Sequence, residues 1–151
     1  LFKLEKSLSR IIDTQGVGKQ RTRLQKGIVI SIRELMLQTK PTIVTKDLAA
    51  FIAIALLEIS AGVERTVAPW EKRNYWVKAD SFRRDWAWTE TLGNQMKTAA
   101  LDEDWQNVAM LSAQIGTHLS KIQVSPRHRM GKPWLGAWEG LLELNKNSQK
   151  A

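Results

Sequence analysis

The sequence predicts an all-α fold: a compact bundle of five or six helices in a single domain. Apolar residues recur at the 3.6-residue spacing of a helix, and the alternation typical of strands is not found. With 151 residues, 43% of them hydrophobic, the chain can bury roughly 70% of its unfolded surface, enough for one core. Four prolines divide it into helix-length segments: Pro41, Pro69, Pro126 and Pro133. We expect residues 1–146 to form the domain and residues 147–151 to be a frayed tail.

The N-terminal third contains two predicted helices separated by glycines. The first stops near Gly16–Gly18, and its apolar stripe consists of Leu1, Leu4, Leu8, Ile11 and Ile12. The second runs from about Lys19 to Gln38, and Lys40-Pro41 ends it. Its inward stripe consists of Leu24, Ile28, Ile32 and Leu35.

The third predicted helix covers about residues 46–65, with Thr45 as its N-cap. It contains the longest apolar run, Leu48–Leu57, which is far shorter than the ~20 residues that a bilayer span needs. Because this run is apolar on every side, we expect it at the centre of the fold.

A long fourth helix is predicted after Pro69, since proline suits the first turn of a helix. Asp80 and Arg84 have the spacing of a favourable ion pair. The predicted inward face consists of Tyr75, Ala79, Phe82, Trp86, Gly93 and Met96.

Acidic residues mark the start of a fifth helix that reaches about Ile122: Asp102, Glu103 and Asp104. The last helix is predicted from Pro133 to about Lys146. Trp134 and Trp138 are expected to attach it to the bundle, and Trp86 is expected in the core rather than as a base-stacking platform. Trp70 and Trp88, where exposed, would suit a subunit interface.

Positive charge is concentrated near the N-terminus. The net charge is +8, and residues 1–46 hold ten Lys or Arg residues against three acids, whereas the other 105 residues are nearly balanced. A basic end on an almost neutral body indicates a polyanionic partner, either nucleic acid or an anionic membrane surface. There is no cysteine, which excludes disulfides and cysteine metal sites, and we expect a cytoplasmic protein.

The stretch GVGKQRTRLQKG, residues 16–27, raises two alternatives. A phosphate-binding P-loop needs Gly, four residues and Gly-Lys-Ser/Thr, but Gln20 follows Lys19 and Asp13 occupies the first glycine position. As a helix, the stretch places four cations within roughly 80° of one another. They are Lys19, Arg23, Lys26 and Arg33, opposite the apolar stripe.

These cations favour a nucleic-acid contact because no acid occurs between Asp13 and Glu34. A merely solvated face usually carries acids one turn away. A similar short stripe on the first helix consists of Lys3, Lys6 and Arg10. Arg21 departs from the pattern and falls on the apolar side. A solvated or protein-facing surface, or a membrane surface, remains an alternative; the membrane is disfavoured because the core needs the apolar side.

A second basic segment, SPRHRMGKPW at residues 125–134, has proline and glycine at shaping positions. No acid occurs between Trp105 and Trp138. Its candidate nucleic-acid contacts are Arg127, His128, Arg129 and Lys132. The alternative is a connector that happens to be basic.

No catalytic or metal-binding motif is found, and we expect neither an enzyme nor a cofactor. His118 follows the apolar phase of the fifth helix and is expected to be a hydrogen-bonded bundle residue. The triplet Asp102–Asp104 could hold a divalent cation, but acids at a helix start explain it.

The chain resembles the small subunit of type I CRISPR surveillance complexes (Cascade). The resemblance rests on the start LFKLEKSLSRII, the basic helix KQRTRLQK, the loop RHRMGK and the all-α pattern over essentially the whole chain. Leu1 stands where an initiator Met would be, which suggests a removed start or a domain cut from, or translated within, a longer reading frame. Internal translation within the large-subunit gene occurs in some subtypes of this family, B and D among them.

The resemblance implies a non-catalytic role. Several copies would contact one another, the crRNA-bearing backbone subunits and the large subunit. Their cationic faces would stabilise unwound DNA, as single strand or crRNA–DNA hybrid, while a separate helicase-nuclease cuts. No residue is assigned by motif, because the family has no invariant signature. Two other functions stay open: a helical scaffold that binds an acidic protein, and a helical enzyme that uses the acid cluster.

Overall fold

The computed structural model describes residues 16–150, and this part of the chain is all-helical, as predicted. Its five helices are α1 (Val17–Leu35), α2 (Ile43–Lys72), α3 (Trp76–Leu101), α4 (Trp105–His118) and α5 (Ala137–Lys150). The helix predicted near residues 1–12 lies outside the described residues.

Helix α2 is the centre of the bundle, as its composition predicts. Every residue from Leu48 to Leu56 is buried, and α1, α3 and α5 all pack against α2. A helix that is apolar on every side is stable in water only where neighbours cover all of its faces.

Both ends of α2 differ from the prediction. The N-cap is Thr42, not Thr45: the Thr42 side chain accepts a hydrogen bond from the Val44 N–H at 3.2 Å, and Thr45 Oγ1 accepts one from the Thr42 N–H at 2.9 Å. Pro69 lies inside α2 and does not start the next helix. The helix ends where Asn74 adopts a left-handed conformation (φ 65°) and the Tyr75 N–H donates to the Trp70 carbonyl at 2.8 Å.

Helix α3 makes the largest contact with α2. Of its predicted inward face, Ala79, Gly93 and Met96 are buried, and Phe82 and Trp86 are half-buried. Tyr75 is exposed and precedes the helix, which corrects its assignment to that face. The predicted ion pair between Asp80 and Arg84 is also wrong. Asp80 pairs instead with Arg83, three residues further along the helix, at 3.4 Å.

The last two helices are capped by aspartates. Asp104 accepts a hydrogen bond from the Asn107 N–H at 3.2 Å and begins α4, which confirms the helix-start interpretation of this acid. Helix α4 ends at His118, not near Ile122. Asp47 of α2 accepts a hydrogen bond from the Trp138 N–H at 3.0 Å, in the first turn of α5.

Helix α5 begins at Ala137, four residues after Pro133, and continues to Lys150. Residues 147–150, predicted as a tail, therefore extend the helix. Trp134 is buried and Trp138 is half-buried against the core, so both attach this helix to the bundle.

One carboxyl group of α2 gives the fold a pH dependence. Burial raises the pKa of Glu58, and the positive charge of Arg65 only partly opposes this. Between the unfolded and folded pKa values the native state binds more protons than the unfolded chain, so stability falls as pH rises through this window.

We therefore expect Glu58→Gln to be more stable than the wild type at neutral pH, with a difference that narrows as pH falls towards the ordinary glutamate value of 4.5. Urea unfolding at neutral pH and near pH 4.5 measures this difference in the free energy of unfolding. Glu90→Gln, a change at an exposed position of α3, is the control and should show no such narrowing. If the stability difference between Glu58→Gln and the wild type does not change with pH, the raised pKa of Glu58 is contradicted.

Candidate nucleic-acid interface

Four cations form an exposed face of α1, which we call the basic face: Lys19, Arg23, Lys26 and Arg33. Their side chains lie opposite Leu24 and Ile28, which are 3% and 0% exposed. The apolar stripe is held against α2, and this contact directs the cations outward. From Lys19 to Arg33 the rise along the helix is about 21 Å.

The basic face is not neutralised by acids in the part of the chain that the structure describes. Among residues 16–150, no carboxylate lies within salt-bridge distance of any of its four cations. Cations outside the basic face do form salt bridges: Lys46 binds Glu103 at 3.1 Å, and Arg83 binds Glu71 at 2.8 Å. Within residues 16–150, the charge of the basic face is therefore not neutralised by any carboxylate.

The basic loop, residues 125–134, is anchored close to the basic face. Arg33 Nη2 donates a hydrogen bond to the Val124 carbonyl at 3.0 Å, and Val124 and Met130 pack against the core. A Cβ atom added to Gly27 of α1 would lie 3.8 Å from Met130 Cε. The structure thus brings together two basic segments that are about a hundred residues apart in the sequence.

One residue interrupts the basic face. Ile30 lies between Lys26 and Arg33 along the helix and has a helical phase between those of Lys19 and Arg23, yet it is only 3% exposed and belongs to the core. The chain around Val124, which Arg33 holds against α1, packs on this side of the helix. Lys19, Arg23 and Lys26 therefore form the open part of the face, and Arg33 lies at the junction with the loop.

Within the basic loop, Arg127, Arg129 and Lys132 are exposed. His128 is half-buried, and its Nδ1 accepts a hydrogen bond from the Met130 N–H at 3.2 Å. Because Nδ1 is an acceptor, the neutral ring carries its proton on Nε2 and can donate from that atom alone. The loop cations can thus reach a ligand, while His128 mainly shapes the loop.

The remaining candidate residues, Lys3, Lys6 and Arg10, lie outside the described residues. Arg21 is separate from the basic face, as its phase predicts: it donates to Thr66 Oγ1 at 3.0 Å and lies over the rings of Phe82 and Trp86. Burial lowers the pKa of this guanidinium. Its function in the fold is to join α1 to α2 and α3.

One exposed segment has no counterpart in the sequence predictions. The turn between α2 and α3 presents six neighbouring side chains, which we call the aromatic–basic tip: Lys72, Arg73, Tyr75, Trp76, Val77 and Lys78. The signal in the sequence is the run KRNYWVK, in which two adjacent aromatic residues are flanked by cations on both sides. The segment is not predicted to be exposed, because the sequence pattern assigns Tyr75 to the inward face of the helix.

The described residues contain no group of three or more His, Asp or Glu side chains arranged to hold a metal ion. In the acid triplet, Glu103 pairs with Lys46, while Asp104 caps α4. His118 is exposed, with its ring stacked 4.2 Å from that of Trp88, which corrects its assignment as a hydrogen-bonded residue inside the bundle. None of the helices within residues 16–150 combines the length and apolarity of a membrane span.

Comparisons with known proteins add no relative. No family model matches the chain, and no curated protein and no solved structure is significantly similar to it. The functional interpretation therefore depends on the residues and their geometry.

Proposed function

We propose that this chain is a non-catalytic, sequence-independent nucleic-acid-binding subunit. The observation that carries the proposal is the exposure of Lys19, Arg23 and Lys26 on one face of α1, without carboxylate partners among residues 16–150. Regularly spaced cations on a rigid helix match the regular spacing of phosphates in a nucleic-acid backbone.

The basic loop supports the same function. The Arg33–Val124 hydrogen bond holds it beside α1, so Arg127, Arg129 and Lys132 add exposed cations next to the helical stripe. Contacts that such cations make to phosphates position the nucleic acid and carry no sequence information directly.

The resemblance to Cascade small subunits extends the proposal to a biological setting. There the ligand would be the unwound DNA of an R-loop, and the partners would be backbone and large subunits and further copies of the chain. R-loop formation is close to energetic balance, so modest phosphate contacts can shift it. An R-loop mimic that binds more tightly than the matching duplex would support this setting, and equal binding would oppose it.

The proposed function is tested by the salt dependence of binding to short DNA strands of unrelated sequence. If five to seven phosphates are contacted, a plot of log K against log salt should have a slope of roughly −3.5 to −5, with the same slope for each sequence. Fluorescence anisotropy of end-labelled strands measures this. A flat salt dependence would contradict phosphate contacts, and equal affinity for a polyglutamate chain would favour an acidic protein partner.

A further inference from the structure

The aromatic–basic tip is built on a fixed backbone. Asn74 adopts a left-handed conformation, and its N–H donates to the Glu71 carbonyl at 3.0 Å. The next N–H, of Tyr75, donates to the Trp70 carbonyl at 2.8 Å. Helix α3 starts immediately afterwards at Trp76. The side chains that follow this turn are therefore held outward by a rigid corner between two helices.

The apolar side chains of the tip face solvent. Tyr75, Trp76 and Val77 are 52%, 53% and 82% exposed, and with Asn74 and Lys78 they line an open cavity of about 580 Å³. Leaving three neighbouring apolar side chains in water forgoes hydrophobic stabilisation, and such a patch marks an interaction surface.

The charges of the tip indicate an anionic ligand. Lys72, Arg73 and Lys78 surround the aromatic residues, and none of them pairs with a carboxylate of residues 16–150. Glu71, the neighbouring acid, is already bound to Arg83 at 2.8 Å. The tip therefore combines exposed rings with cations that no carboxylate within the described part of the chain neutralises.

A row of contacts connects the tip to the first turns of α1. Arg21 lies 4.9 Å from the ring centroid of Phe82, whose ring is 5.3 Å from that of Trp70. Lys78 of the tip lies 4.2 Å from the Trp70 centroid. Since Lys19 is two residues before Arg21, the basic face begins at the same end of the bundle as the tip.

We propose that the tip binds unpaired bases, with Trp76 and Tyr75 stacking on them and Lys72, Arg73 and Lys78 contacting the adjoining phosphates. This inference rests on the proposed function and specifies its ligand as single-stranded nucleic acid. A duplex hides the faces of its bases, whereas a single strand that leaves the basic face at Lys19 offers them to the rings. The preference for single strands arises at the tip, and the basic face supplies affinity for either form.

The test compares two oligonucleotides of equal length, oligo(dT) and a strand of abasic sites that has the same phosphates but no bases. The wild-type chain should bind oligo(dT) about tenfold more tightly than the abasic strand. Trp76→Ala should remove most of this difference, while Trp76→Phe, which keeps a ring, should retain it. Met110→Ala is the matched control, because Met110 is 55% exposed on α4 and away from the tip.

The outcomes separate the two proposals. Equal wild-type affinity for both strands, with a steep salt dependence, would overturn the tip assignment and leave the proposed function intact. Absence of salt-dependent binding to either strand would overturn the proposed function itself. A Trp76→Ala effect confined to phosphatidylserine vesicles, or to concentration-dependent self-association, would identify a membrane or a second copy as the occupant and reject bases.

Discussion

Replacing Lys19, Arg23 and Lys26 together by glutamate is expected to weaken DNA binding by at least about a hundredfold at low salt. The three side chains are exposed and adjacent on α1, and the change replaces phosphate contacts with repulsion. Removing three contacts should also reduce the salt slope for single strands by roughly two. Arg33 is left unchanged because its hydrogen bond to Val124 holds the basic loop in place.

A matched variant distinguishes a local surface from a general effect of net charge. Arg84→Glu, Lys146→Glu and Lys150→Glu change the net charge by the same amount, also at exposed helical positions, but away from the basic face. This control should lose only a small part of the affinity. Both variants should unfold at nearly the wild-type temperature, because glutamate is a good helix former. Equal losses in the two variants would mean that no particular face binds DNA.

The sequence predicts the centre of this fold well because the signal is local. Nine consecutive buried residues, Leu48–Leu56, require a helix that is covered on all sides, and the structure has it. The end of α2 was not predictable in the same way. Pro69 resembles a helix start, but the helix continues past it until the left-handed Asn74, and nothing in the local pattern ranks one signal above the other.

The arrangement of the candidate site depends on contacts between distant parts of the chain. Helical phase alone predicts that Lys19, Arg23 and Lys26 share an exposed face, and they do. Phase alone also places Ile30 on that face, where the structure buries it. The hydrogen bonds Arg33–Val124 and Trp138–Asp47 each join residues 91 positions apart, and no periodic pattern contains that information.

Gly93→Leu is expected to lower the free energy of unfolding by about 2 kcal/mol, within the usual range for overpacking a core. Gly93 lies where α3 passes close to α2: an added Cβ would be 3.0 Å from Leu57 Cδ2 and 3.2 Å from Leu56 Cβ. Leu57 can move by rotating its side chain, but Leu56 Cβ is attached directly to the backbone of the central helix. The two helices must therefore separate, which weakens the largest contact of the bundle. Urea unfolding followed by circular dichroism measures the change.

Gly116→Leu is the matched control, since it makes the same chemical change in α4 at a position where an added Cβ meets nothing within 4 Å. There the higher helix propensity of leucine acts alone and should raise stability by up to about 1 kcal/mol. The two substitutions are thus expected to have opposite signs. If both stabilise the chain, α2 and α3 do not approach closely at Gly93.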